Sequence, residues 1–361
     1  MSVDIRPIPV PASLGTPAAA DFEAFAAFAE ALVVEVHGTD ELSFGADELL
    51  VFYRDERYVR RRAFGAWDDD RLIGVANVAW ELDPDATTAF STIFGVAPES
   101  RRRGIGSRLL AELERTARDA GRPALVLRAD HRIDDGDSGA ERLSAPQGDA
   151  SIPADEPAAR FALAHGYALG QLDRMSAMAV TGRAGEFRER LARQASASPG
   201  YRLVTWHDRT PDDLVDAMAH ARERMSVDAP GAGIYEQEAW DADRIRSEEQ
   251  DALDAGRTTI ITAAIAADDA VAGYTQFALA PRKRVAFQDD TLVLADHRGH
   301  GLGLRMKLAN LIELGRTAPD RERVITWNAD ENAHMLAINV ALGFEAVAMD
   351  SSWQKGRQEE G

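Results

Sequence analysis

The chain has 361 residues, 45% hydrophobic and 28% charged, which fits a soluble globular protein of two domains better than one core. The 60 acidic against 41 basic residues give a formal charge of -19 and argue against a nucleic-acid partner, because phosphate contacts call for a basic surplus. The absence of cysteine excludes disulfides, thiolate metal sites and a cysteine nucleophile, and no metal is expected.

Taken in chain order, the N-terminus MSVDIRPIPVPASLG lacks the basic-then-apolar pattern of a signal peptide. No window approaches the ~18 apolar residues of a membrane span. A cytoplasmic protein with no membrane partner is therefore expected. Val3 to Val10 reads as a strand, and Ala20 to His37 as a helix with Phe22, Phe25, Phe28 and Leu32 at helical spacing. Arg61 to Asp70 and Leu72 to Asp83 read as a hairpin around the turn at Asp68 to Asp70. Thr87 to Val96 reads as one continuous strand, and Ser107 to Ala120 as an amphipathic helix. Residues 182–200 read as a connecting helix and linker, with the boundary near Ala195. Beyond it, a strand at Tyr201 to Trp206 precedes helices at Pro211 to Met225 and Ala239 to Ala255. Strands at Thr258 to Ala267, Val271 to Leu279 and Val285 to Leu294, and a helix at Leu304 to Thr317, follow.

This order is written twice. Arg101-Arg-Arg-Gly-Ile-Gly106 has its counterpart in Arg298-Gly-His-Gly-Leu-Gly303, each between an apolar run and a helix. Each helix is followed by a β-rich run ending in Ala-Asp, at Asp130 and Asp330, and later by Gly-aromatic, at Gly166-Tyr167 and Gly343-Phe344. The first half carries extra residues between those two landmarks, including Ile133-Asp-Asp-Gly-Asp-Ser-Gly-Ala-Glu, with the composition of a solvated loop. The expected fold class is therefore α/β: two domains, residues 1–181 and 201–361, each with a mixed central sheet flanked by helices.

The glycine turns carry the first chemistry. A strand that turns directly into a helix leaves the first N–H groups of that helix unpaired, and with the helix dipole they attract an anion. Glycine at alternate positions lets a bulky anion such as a pyrophosphate approach the backbone. Flanking Arg102, Arg103 and Arg108, or His297, His300 and Lys307, add positive charge. An ordinary tight turn is the plainer reading of one copy, but two copies at matched positions weaken it. A dinucleotide site of an NAD-binding oxidoreductase fits less well, since the third glycine is replaced by Leu109 and Met306.

Val96-Ala-Pro98-Glu-Ser-Arg101-Arg-Arg-Gly104-Ile-Gly106 resembles the acyl-CoA motif of the GNAT acetyltransferase superfamily. With Arg298 to Gly303, Asn328, Asn332, Met335, Asn339 and Gly343-Phe344, the chain resembles tandem two-domain GNAT proteins, an arrangement shared by mycothiol synthase. The resemblance implies acetyl-CoA, or another acyl-CoA, as co-substrate. It places Arg101, Arg102, Arg103, Gly104, Gly106 and Ser107, and Arg298, Gly299, His300, Gly301 and Gly303, at the phosphates. It also implies a splayed strand whose backbone at Val96 and Val293, with Ala295 beyond, meets pantetheine. Asn332 is implied as a pantetheine contact, with a helix N-cap as its structural alternative.

Transfer to an amine needs a proton acceptor. Only the second half has acids before the motif, Asp289 and Asp290, where the first half has Thr92 and Ile93. Simple alternation puts Asp289 with Thr291 and Val293, so Asp289 is the first choice of base and Asp290 the second. The plainer reading makes both exposed strand-edge acids. The tyrosine that protonates the leaving thiolate in many GNAT enzymes is replaced by Ala162 and Asn339. Asn339 as a partner for the sulfur and His334 as a substitute donor are the remaining candidates. Trp240 and Tyr235 lie where a substrate-side loop is expected, with packing as the default. The expected activity is acyl transfer from acetyl-CoA to a small-molecule amine in the C-terminal half. The alternative is a catalytically silent acyl-CoA-binding or scaffold protein.

Overall fold

A computed structural model describes residues 3–133, 141–194, 200–228 and 238–355. The described residues divide into two compact units, one built from those up to Leu172 and those from Ala348, the other from the described residues between.

In the first unit, β1 (Asp4–Pro7) is followed by α1 (Ala20–His37), α2 (Ala46–Arg54), β2 (Val59–Asp68) and β3 (Arg71–Glu81). Asp69 turns the β2–β3 hairpin with φ 56°, a left-handed conformation that a short polar side chain tolerates. The expected single strand to Val96 is interrupted: β4 (Thr88–Ser91) and β5 (Phe94–Val96) are separate, with Thr92 and Ile93 between them. Then come α3 (Ile105–Asp119) and β6 (Ala124–Arg132). Next, β7 (Arg142–Ser144) and β8 (Ser151–Pro153) pair as a hairpin, so this part of the insertion is ordered structure and not the expected open loop. Its Ile152 is buried in the main core. Residues 134–140 of the insertion lie outside the described residues. The helix α4 (Pro157–Ala164) ends this half's repeat and β9 (Tyr167–Ala179) follows.

The second unit contains α5 (Ala184–Gln194), β10 (Arg202–His207), α6 (Val215–Asp228), α7 (Ala242–Asp254), β11 (Thr258–Ile265), β12 (Val271–Leu279) and β13 (Val285–Val293). Next are α8 (Leu302–Thr317), β14 (Arg323–Ala329), α9 (Ala333–Leu342) and β15 (Glu345–Lys355). The segment expected to be a linker helix, α5, is packed: Phe187 is 1% exposed and belongs to the core formed with α8, β11 and β12.

Each unit has the same sheet. In the first, β1, β2, β3 and β4 are antiparallel neighbours, β4 runs parallel to β6, and β6 is antiparallel to β15. In the second, β10 to β13 are antiparallel neighbours, β13 runs parallel to β14, and β14 is antiparallel to β9. The outermost strand of each unit therefore comes from the other half of the chain, which is why the contacts do not divide at residues 181 and 201. An ion pair accompanies each exchange: Arg174 of β9 to Asp330 at 2.6 Å, and Asp350 of β15 to Arg128 at 2.7 Å.

Helices cover both faces of each sheet. In the first unit Leu109, Leu110 and Leu113 of α3 bury against one face while Phe22, Phe25 and Tyr53 cover the other. Fully burying one such leucine contributes roughly 1.5–3 kcal/mol. Along β11, Ile260 and Ile261 point into different cores, as strand alternation requires.

Candidate acyl-CoA sites and their unequal chemistry

The parallel ladder between β4 and β6 runs from Thr88–Ala124 to Ser91–Leu127, and β5 then pairs with β3. In the second unit the ladder between β13 and β14 runs from Val285–Arg323 to Gln288–Thr326, and β13 continues against β12. Each sheet thus opens at the same point, one residue before the Thr92-Ile93 or Asp289-Asp290 pair.

Beyond the opening, Ala97 N–H donates to Ile73 C=O at 2.9 Å and Leu294 N–H to Ala272 C=O at 3.0 Å. In antiparallel geometry this turns the N–H and C=O of Val96 and Val293 away from β3 and β12, toward the side where the ladder has opened. The two carbonyls are held: Arg101 Nε donates to Val96 at 2.8 Å, and Arg298 Nε to Val293 at 3.1 Å. The first arginine of each motif therefore anchors the strand end, and Arg101 also pairs with Glu35 at 2.6 Å.

The glycines have two separate jobs. Gly104 (φ 78°) and Gly301 (φ 65°) cap α3 and α8 in the left-handed conformation, with open space beyond them. Arg102 (φ 62°) and Gly299 (φ 83°) share a second left-handed position. The first helical hydrogen bonds run from Arg108 to Gly104 and from Arg305 to Gly301, so the N–H groups at the start of each helix precede the ladder. That geometry fits a phosphate group at both turns. Gly106 serves packing instead. A Cβ there would stand 3.1 Å from the Phe161 ring of α4, whereas one on Gly303 would make an ordinary contact, 3.6 Å from Ile338 of α9.

The side chains around the turns differ from the simple expectation. Arg102 and Arg103 are exposed, Arg103 being 3.9 Å from Asp68. Ser107 is hydrogen-bonded to His165 at 2.9 Å. Arg298, Gly299, His300 and Ala295 are exposed, and His297 accepts or donates at 3.0 Å to the Tyr201 hydroxyl. Lys307 cannot supply charge to a phosphate: it is 1% exposed, and burial pulls its amine down to about 7. Its counterpart in α3 is the buried Leu110.

The bulges carry the main difference between the units. In the first, the Asn77 carboxamide oxygen accepts from Thr92 N–H at 2.9 Å and Ile93 N–H at 2.8 Å. Ile93 packs with Phe28 and Leu32 against the Phe22–Phe25 cluster, and Leu32 fills the space beside Gly95. In the second, Gln288 pins the bulge, donating to Gln276 C=O at 2.8 Å and Asp290 C=O at 3.2 Å. The pairing shifts register between Thr275 and Phe277, so the simple alternation expected for Asp289 and Asp290 does not hold.

The acids have different surroundings. The Asp290 carboxylate accepts from Arg222 of α6 at 2.5 Å and from the Tyr274 hydroxyl at 2.9 Å. Arg222 also donates to the Gln276 side-chain oxygen and lies 5.1 Å from the Tyr274 ring and 5.5 Å from the Trp240 ring. Trp240 is packed as the plainer reading had it, with Arg244 on it at 4.4 Å; Tyr235 lies outside the described residues. Asp289 is reached by solvent. Surrounding protein and then the Asp290 charge push its carboxyl up to about 7, against the pull of Arg257, Arg222 and a Gln276 hydrogen bond.

The remaining candidates sit on α9. Asn332 caps the helix, accepting from Met335 N–H at 3.1 Å. Asn339 is 2% exposed and donates to Asn328 at 2.6 Å, leaving its buried side-chain oxygen without a partner. His334 is exposed in the first turn. Arg222, Gln276 and Tyr274 escaped the sequence reading. Tyr274 and Gln276 were signalled by polar groups inside the otherwise largely apolar β12, whereas Arg222 lies among the other charged side chains of α6. Among the described residues no group of three or more His, Asp or Glu is arranged to hold a metal ion, and no helix is long and apolar enough to cross a membrane.

Residues 31–136 match the family model described as Acetyltransferase (GNAT) family. A tandem GNAT protein from the clavulanic acid biosynthesis pathway is similar over 99% of this chain and 100% of its own, at 25% identity and TM-score 0.71. A GCN5-related N-acetyltransferase from Sphaerobacter thermophilus shares the fold over 98% of this chain and 95% of its own, at 15% identity and TM-score 0.59. No curated relative matches by sequence.

Proposed function

We propose that this chain is a tandem two-domain acetyltransferase of the GNAT superfamily, and that its second glycine turn serves a reaction centre that acetylates the amine of a small molecule. The observation that carries this reading is the asymmetry of the two bulges. Where each sheet opens, one unit presents Thr92 and an apolar-packed Ile93, and the other presents Asp289 within reach of solvent.

Bound acetyl-CoA would supply the activated acyl group, whose carbon gains a C–N bond as its C–S bond breaks. The turn at Arg298 to Gly303 holds the phosphates through backbone N–H groups, and the Val293 edge receives the pantetheine arm. The Val293 N–H, turned toward the open side, stabilises negative charge on the thioester oxygen; such donors are worth about 3–4 kcal/mol in acyl-transfer enzymes. Asp289 accepts the proton that the amine loses. Asn339 is buried with its amide N–H given to Asn328, and a thiol pKa near ~8.5 lets the thiolate leave without an acid. The first unit's turn at Arg101 to Gly106 has the geometry for a second CoA and lacks the base.

Thiol release from acetyl-CoA across a panel of primary amines tests this reading, with Asp289→Asn as control. CoA binding without turnover on any amine favours the alternative, a silent acyl-CoA-binding scaffold. The observation on that side is that Ala162 and Asn339 occupy both positions where the resemblance expects an acid.

A further inference from the structure

Two adjacent acids at one bulge pose a chemical problem. Side by side they share protons, and neither is committed to a task. The surroundings of Asp289 and Asp290 are not symmetric, and the asymmetry traces to one side chain on another element.

Arg222 projects from α6 onto Asp290. Its Nη1 donates to Asp290 at 2.5 Å while its Nη2 donates to the Gln276 oxygen. The second contact fixes the orientation of the Gln276 amide: with the oxygen turned to Arg222, the NH2 end is left to donate to Asp289. Tyr274 closes the other side of Asp290, donating at 2.9 Å. The Arg222 side chain is only 16% exposed and lies against the Tyr274 and Trp240 rings, so its planar fork has little freedom to choose another partner.

We propose that Arg222 is a positioning residue for acyl transfer: it engages the Asp290 carboxylate and aims Gln276 at Asp289, leaving Asp289 to take the amine's proton. This rests on the reading of Asp289 as base. The charged and titratable groups around Asp289 are Asp290 on its own strand, Arg222 on α6 and Arg257 before β11. Tyr274 on β12 and Glu248 on α7 act on the same cluster. Asp290 opposes a negative charge on Asp289, and Arg222 and Arg257 favour it. Removing Arg222 and removing Asp290 must therefore move the Asp289 titration in opposite directions. A residue that merely supports the fold would not produce that sign change.

The test uses the full chain with 13C-labelled aspartate carboxyls titrated by NMR, the Asp289 resonance being identified by its loss in Asp289→Asn. Thiol release from acetyl-CoA with primary amines is followed in parallel. Arg222→Met should raise the Asp289 midpoint, and Asp290→Asn should lower it, each by about one pH unit or more. Arg222→Lys, which keeps the charge without the fork, should raise the midpoint less than Arg222→Met yet still cut turnover, because Gln276 is no longer aimed. Circular dichroism and thermal melts check that each variant is folded. Should Arg222→Met be unfolded, Tyr274→Phe and Asp290→Asn supply the comparison, with Tyr274→Phe moving the midpoint by less. Midpoints that stay fixed, or that move the same way in both main variants, overturn the proposal. Wild-type turnover in Asp289→Asn would instead overturn the assignment of the base, a distinct result.

Discussion

The Phe161 ring stands 3.1 Å from the place a Cβ on Gly106 would occupy, which makes the second glycine of the first motif a packing requirement of α3 against α4. At Gly303 the equivalent neighbour, Ile338, is 3.6 Å away, an ordinary contact. Gly106→Ala should therefore cost about 1–3 kcal/mol through overpacking, and Gly303→Ala markedly less. Urea unfolding of the two variants checks the order. Equal losses would mean that backbone conformation, and not the α4 ring, governs the position.

The first glycines should respond by a different mechanism. Gly104→Ala and Gly301→Ala meet open space but must hold a left-handed backbone, at a cost of roughly 1–2 kcal/mol each. A turn that relaxes to avoid that strain no longer aims its N–H groups. Isothermal titration with CoA should show weaker binding in both, even where the unfolding curves move little.

Asp289 makes activity pH-dependent in a stated direction. Its folded-state carboxyl sits near about 7, so the fraction able to accept a proton rises through that value. The kcat/KM of thiol release should climb as pH passes from 6 to 8, on the scale of about one unit around that midpoint. Asp289→Asn should lose ~100-fold or more and flatten the limb. A limb that persists in this variant would belong to the amine or to another residue.

Lys307 gives a stability prediction. Its amine titrates near about 7 when folded and at 10.5 when unfolded. Between those values the unfolded chain binds the extra proton, so stability rises as pH is raised from about 7 toward 10.5 and is independent of this group below 7. Lys307→Leu, copying Leu110, should raise stability at pH 7 by an amount on the order of a few kcal/mol, with the gain shrinking toward pH 10. Denaturant curves of both proteins at pH 7 and 9.5 give the comparison; a gain that does not shrink would point to packing alone.

Asn332 carries a cap and an implied ligand contact, and the two can be separated. Asn332→Ala should lose about 1 kcal/mol of stability. Asn332→Ser restores a capping oxygen without the amide. Full recovery of stability with a raised KM for acetyl-CoA would assign the amide to the ligand, whereas recovery of both would leave only the cap.

What the sequence made legible was local. The helix Ala20–His37 and the Asp69 hairpin follow from spacing and turn chemistry within a few residues, and the glycine turns from their repetition. The break at Thr92-Ile93 was hidden, because Asn77 imposes it from a neighbouring strand. Arg222 was equally hidden. Its role depends on α6 lying beside a bulge roughly seventy residues away, a relation that no short-range pattern encodes. Lys307 was misread as adding charge beside the turn because charge in a sequence does not say which face of a helix it occupies.

The exchange of β9 and β15 makes each sheet depend on both halves of the sequence. Neither outer strand can leave without exposing an unpaired ladder on β14 or β6. A fragment ending at residue 181 would carry β6 without β15, and one beginning at residue 201 would carry β14 without β9. Neither half of the sequence therefore holds a complete sheet of its own, and each half expressed separately should lack the strand that the other supplies.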